Sequence, residues 1–147
     1  MKIQEQDTFH GPALMQIVEH DSFKALNKAD DQYGHYLVNK DIRLWVKYAS
    51  KAKGPWQFTF QPNDLSLISK DVKQKGITHV VLVCGNVSIC SLNTDELERL
   101  LDITAKSAQW LKVAAPPNKQ MRVTGSDSNK SSILAPHNKF PGCIFKS

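Results

Sequence analysis

Residues 78–93 read Thr-His-Val-Val-Leu-Val-Cys-Gly-Asn-Val-Ser-Ile-Cys-Ser-Leu-Asn. Val80 to Val83 are apolar without alternation. A strand that shows water neither face must be covered on both, so Thr78–Cys84 is expected inside a sheet with layers on each side. Gly85-Asn86 supplies a two-residue turn, and Val87–Leu92 returns beside the first strand as a hairpin. Asn93 and Glu96 then stand at capping-box spacing, with Leu97, Leu100 and Leu101 as the apolar stripe of a following helix.

Upstream, Pro62-Asn63-Asp64 opens another helix, with Leu65, Ile68 and Val72 on one face; Lys73, Lys75 and Gly76 close it. Before it lies a β-rich block. Tyr33–Asn39 reads as a strand, and Ile42–Tyr48 alternates, with Ile42, Leu44, Val46 and Tyr48 on one face and Arg43, Trp45 and Lys47 on the other. Lys53-Gly54-Pro55 turns the chain into Trp56–Phe60, whose three aromatics share a face. Seven of the 12 aromatics fall between residues 33 and 60, so this meander is expected to supply much of the core.

Residues 1–10 read as a loose lead-in, and Gly11-Pro12 as the start of a helix with Leu14, Ile17, Val18 and Ala25 on its stripe. Asp21 either lies near that stripe or caps a second short helix from Ser22 to Lys28. Downstream, Ala108–Ala114 and Gln120–Thr124 read as strands joined across Pro116-Pro117-Asn118. Gly125–Ser132 reads as a loop, and residues 125–147 as a loop-rich basic segment with apolar anchors in Phe140–Phe145. The expected fold is α/β (α+β): a mixed central sheet with flanking helices, in the order α-β-β-β-α-β-β-α-β-β. The 147 residues, 41% of them apolar, suit a single domain.

No run approaches the 18 apolar residues of a membrane helix, and residues 1–10 lack the apolar core of a signal peptide. Cys84, Cys90 and Cys143 form no metal-binding spacing, which points to reduced thiols and a cytoplasmic location. The net charge of +5 is unevenly placed. Residues 1–104 carry 12 Lys/Arg against 13 Asp/Glu, and residues 105–147 carry 7 against Asp127 alone. Within the neutral part, Lys40, Arg43, Lys47, Lys51 and Lys53 are opposed only by Asp41. Such a cluster is either a solvated face or an electrostatic footprint for DNA or RNA.

The order α-β-β-β-α-β of the first 85 residues, with Lys47 in Trp45-Val46-Lys47, resembles the PD-(D/E)XK nuclease-like superfamily. The resemblance implies a Mg²⁺ ion on carboxylates and a lysine that supports the attacking water. Carried over, Glu19 is the helix acid and Asp41 the hairpin acid, both metal ligands, and Lys47 is the catalytic lysine. Trp45 stands where that family places its second acid, so Asp64 or Gln57 would have to substitute, or the site is not catalytic. Lys40, Arg43, Trp45, Lys51 and Lys53 are then the nucleic-acid contacts. Each also has a plain structural reading: Glu19 as a solvent-facing helix acid, Asp41 as a turn residue, Lys47 and Arg43 as the polar face of a hairpin. Trp45 is either an exposed aromatic between cations or lies under a helix. Two functions follow: a nucleic-acid-associated domain, catalytic with Mg²⁺ or a non-catalytic relative, or a protein-interaction module of the inhibitor or immunity type, with exposed Trp and Tyr as anchors.

Overall fold

The computed structural model describes residues 1–74 and 76–146. Lys75, read above as a helix-closing residue, lies outside them. The chain runs α1 (Glu5–Val18), β1 (Leu26–Lys28), β2 (His35–Val38), β3 (Ile42–Ala49), β4 (Trp56–Phe60), α2 (Pro62–Val72), β5 (Ile77–Cys84), β6 (Ser88–Asn93), α3 (Thr94–Leu100), β7 (Gln109–Ala114), β8 (Met121–Gly125) and β9 (Ile133–Ala135), and ends in a 3₁₀ turn, Gly142–Phe145. The class is α+β, as the patterning implies.

The expected single sheet is two. One has the order β1-β2-β3-β5-β6 and the other β4-β7-β8-β9. β3 and β5 pair in parallel; the other ladders are antiparallel. The place beside β3 goes to β5 because β5 is apolar on both faces. Val80, Leu82 and Cys84 enter one core, Val81 and Val83 the other. β4 cannot stand there: Gln57 and Thr59 alternate with its three buried aromatics and need water. It therefore leaves the meander and pairs with β7, register Phe58↔Leu111.

The five-stranded sheet is thus a middle layer. On one side α1 contributes Phe9, Ala13 and Ile17, and the C-terminal segment adds Phe140 and Ile144, against Val38, Ile42, Leu44 and Val46. On the other side, α2, α3 and the four-stranded sheet cover Trp45, Val80 and Leu82. Deep burial of this many Leu, Ile, Val and aromatic side chains, at about 1.5–3 kcal/mol each, is what holds the three layers together.

Several local expectations are corrected. α1 begins at Glu5, not near Ala13, so residues 5–10 are helix and Pro12 lies inside it. The start is set by a reciprocal cap, Gln4 with Asp7, and by Phe9, which stacks on Tyr48 with ring centroids 5.0 Å apart. The stretch Ser22–Lys28 forms no helix; it ends in β1, because its backbone is drawn to Asn39, whose Oδ1 accepts from the N–H groups of Lys24 and Ala25. The β5–β6 turn has three residues, Cys84 pairing with Ser88. Beyond the loop at Gly125–Ser132, the loop-rich segment contains β9, which was not expected, and the 3₁₀ turn; it supplies four buried core residues, Ile133, Ala135, Phe140 and Ile144, the last two within the expected apolar anchors. The Asn93–Glu96 capping box forms as expected, with Glu96 N–H donating to Asn93 Oδ1 at 2.8 Å.

Candidate functional site

β3 presents Arg43, Trp45 and Lys47 toward α2 and the second sheet. This face is covered, so the two readings of Trp45 resolve. It is 7% exposed and lies beneath α2; it is not an open platform for a base. Its indole N–H donates to Asp71 Oδ2 at 2.8 Å, and its ring stacks on His35 with centroids 3.8 Å apart. His35 is itself held between two carboxylates, Nε2 2.5 Å from Asp71 Oδ2 and Nδ1 2.9 Å from Asp30 Oδ2. Arg43 Nε lies 3.9 Å from Asp71 Oδ1. With Trp45 in place of an acid, the strand thus meets a carboxylate supplied by the neighbouring helix.

Two residues along, the surroundings change. The β2–β3 ladder ends at His35↔Trp45, with the Val46 N–H donating to the Gly34 carbonyl at 2.7 Å, while β3 runs on to Ala49. The edge of β3 beyond that point is therefore not covered by β2, and a cleft of about 310 Å³ opens there. Its walls come from α1 (Gln6, His10), the loop before β2 (Gln32, Tyr33), β4 (Gln57, Thr59) and α2 (Asp64), around Lys47. Lys47 Nζ donates to the Thr59 carbonyl at 3.0 Å and to Asp64 Oδ2 at 3.4 Å, and sits 5.0 Å from the centroid of the Phe60 ring. The Lys47 and Asp64 side chains are 28% and 31% exposed, so this is a solvated pair and not a sealed one. Asp64 Oδ2 also accepts the Gln61 N–H at 2.9 Å, which caps α2 and fixes the carboxylate.

His10 lies in the same cleft, and its Nδ1 is 3.2 Å from Tyr36 Oη. Tyr48 packs edge-on against its ring, centroids 5.7 Å apart. Burial lowers the His10 pKa, opposed by the charge of Asp7, so the ring is neutral near pH 7. Burial raises all three thiols, Cys90 to about 12, so none is a ready nucleophile.

The residues carried over from the family resemblance do not converge. Asp41 is exposed at the first end of β3, six positions before Lys47, which along a strand is about 20 Å. Glu19 is the C-cap of α1, thirteen helical positions from Gln6 and so also about 20 Å from the cleft end of that helix. Among the described residues no group of three His, Cys, Asp or Glu side chains is placed to hold a metal ion. Among the described residues the carboxylate beside Lys47 is Asp64 alone, already tied to a cap and an ammonium. This donor set does not fit the Mg²⁺ centre that Glu19 and Asp41 would form.

The basic cluster divides in the same way. Lys40 is exposed at the Asp41 end of β3, whereas Lys51 and Lys53 are exposed in the loop that leaves the Lys47 end. Arg43 is engaged with Asp71. Part of the C-terminal excess is internal bonding. Lys130 Nζ donates to the Glu98 and Leu101 carbonyls at the end of α3, and Lys139 forms a two-oxygen pair with Glu96 at 2.6 and 2.7 Å.

His10 and Gln6 were hidden by placing the helix start too late. The usable signal was Phe9-His10 directly before Gly11-Pro12, an aromatic anchor too apolar for a free lead-in. Asp71 also left a signal: it stands three positions after Ile68, on the buried side of α2, where an acid needs a partner. Comparison with protein-family models, with curated proteins and with solved structures returned no match.

Proposed function

We propose that this is a nucleic-acid-associated domain that holds a phosphate of a polynucleotide at Lys47. One observation carries the reading: an ammonium stands in an open cleft, balanced by a carboxylate about a third exposed, at the end of β3 from which the loop with exposed Lys51 and Lys53 leaves. A phosphate entering the cleft exchanges one solvated ion pair for another and releases counterions from the strand. Glutamine amides and tyrosine rings on the walls suit the sugar and the base faces.

The test is binding of a fluorescent single-stranded oligonucleotide across a salt series. Affinity should fall steeply with salt, and Lys47→Gln should weaken binding and reduce the salt slope by about 1. An affinity indifferent to salt, or a Lys47→Gln variant that binds like the parent, overturns the reading.

A further inference from the structure

His10 is the unspent group of the cleft. Its Nδ1 faces Tyr36 Oη, while its Nε2 has no hydrogen-bond partner among the described residues and is not sealed from solvent. The ring cannot turn freely. Tyr48 and Tyr36 pack edge-on against it, and Gly34 lies against its Cε1 side in a left-handed conformation (φ +75°) that a larger residue would resist. When Nδ1–H donates to Tyr36 Oη, the lone pair is on Nε2. The cleft thus holds an oriented imidazole that enters from the α1 face of β3 and an ammonium that enters from the α2 face, either side of the strand's uncovered edge. Among the described residues no second carboxylate beside Asp64 lines it to position and activate a water on a metal.

That inventory suits one kind of phosphodiester chemistry. RNA carries its own nucleophile, the ribose 2′-hydroxyl, so the protein needs to supply only a proton acceptor and positive charge. We propose that the Lys47 cleft is a ribonuclease site in which His10 is the general base and Lys47 stabilises the charge on the phosphate. This rests on the polynucleotide reading above. His10 Nε2 takes the proton of the 2′-hydroxyl, and a bond forms from that oxygen to phosphorus. The bond from phosphorus to the 5′-oxygen breaks, and the leaving oxygen takes a proton from water. The products are a 2′,3′-cyclic phosphate and a free 5′-hydroxyl, and His10 returns its proton to solvent. Tyr33, 82% exposed at the mouth, offers a ring to a base unstacked for the attack. The volume of about 310 Å³ lies at the small-ligand end of binding sites, which fits a single unstacked nucleotide better than a duplex.

The groups facing His10 are Asp7 from its own helix, Tyr36 from β2, and Tyr48 from β3 with Glu5 on the Tyr48 hydroxyl; Lys47 lines the same cleft from the other face of β3. Because the base acts in its neutral form, cleavage should rise with pH through the titration of His10 and then level.

The experiment incubates the full chain with a single-stranded RNA and with the same sequence as DNA, both with excess EDTA. The RNA should be cut and the DNA left whole, with fragments ending in 2′,3′-cyclic phosphate. His10→Gln should lower the rate by about a hundredfold or more while RNA binding is kept. A second arm needs no variant: replacing the ribose at one preferred cut position by 2′-deoxyribose should abolish cleavage there alone. RNA that binds with the expected salt dependence but stays intact overturns this proposal and leaves the polynucleotide reading standing. Cleavage of DNA and RNA alike that requires Mg²⁺ also overturns it. Absence of any salt-dependent binding removes both.

Discussion

Trp45 and Lys47 stand two positions apart on the same face of β3, yet one belongs to a closed polar network and the other to an open one. Around Trp45 both His35 nitrogens and the indole N–H are matched by carboxylate oxygens. Around Lys47 the ammonium meets one carbonyl and one carboxylate about a third exposed, and His10, on the same cleft, keeps a ring nitrogen unpaired among the described residues. A fully satisfied buried network locks elements together, and a part-filled one beside water is where a ligand can bind. The boundary between them is the end of β2: where β2 covers β3 the polar groups are closed, and past His35 they are open.

Breaking the closed network should give the largest effect. Asp71→Ala strips a carboxylate from His35, Trp45 and Arg43 together, leaving the buried His35 Nε2 and the indole N–H without their acceptor. The expected loss is about 3–5 kcal/mol, read as a lower urea midpoint. A combined Asp71→Leu, His35→Phe change should lose less than Asp71→Ala, since it removes both sides of the polar contact.

Acid offers a second probe, through another buried ring. His79 on β5 is pushed down to about 4, by burial first and by Lys139 next, against the opposing pull of Glu96. A folded pKa below the ordinary value of 6.5 means that the neutral ring is favoured in the fold. Its contribution is complete above pH 6.5 and is lost as pH falls toward 4, up to about 3 kcal/mol in that window. A pH series of thermal melts on the parent and on His79→Phe should converge in this range; parallel curves would show that His79 is not held neutral.

The boundary itself can be strained. Gly34 (φ +75°) gives its carbonyl to Val46, and a Cβ placed there meets the Val46 carbonyl. Gly34→Ala should cost about 1–3 kcal/mol and disturb both neighbours, the His35 clamp and the His10 pocket wall. Chemical-shift changes confined to one side of the boundary would show that the regions are less connected than their shared loop implies.

The sharp features of the fold were legible from the chain. The unbroken apolar run of Val80–Val83 marked the doubly covered strand, and the alternation through Ile42–Tyr48 assigned its two faces correctly. The β5–β6 hairpin was also legible; what did not show was the pairing of strands distant in sequence. Trp56–Phe60 looks like the third strand of a meander, and only the competition for the place next to β3, won by a strand apolar on both faces, sends it to the second sheet. The site suffered from the same non-locality. Lys47 was visible as a cation on a strand, but Gln6 and His10 line its cleft from α1 and Asp64 reaches it from α2, and Asp71 and Asp30 meet at His35 from opposite directions in the sequence. Charge counting misled for a related reason: Lys130 and Lys139 are spent on α3 and Glu96 inside the fold.

The smallest stability effect should come from the residue on which function depends most. Lys47→Met keeps an unbranched aliphatic side chain and removes the ammonium, which lies over the Phe60 ring and whose pair with Asp64 is about a third exposed. Solvated pairs of this kind contribute about 0–1 kcal/mol, so the urea midpoint should barely move. Asp64 remains satisfied through the Gln61 N–H, and the Thr59 carbonyl can turn to water. Polynucleotide binding, however, should weaken, with the salt slope lower by about 1. A Lys47→Met protein as destabilised as Asp71→Ala would place Lys47 among the structural ties of β3, and the difference between the two halves of the strand would disappear. A protein that folds like the parent and binds more weakly, with a shallower salt slope, would show that the part-filled network is retained for its ligand.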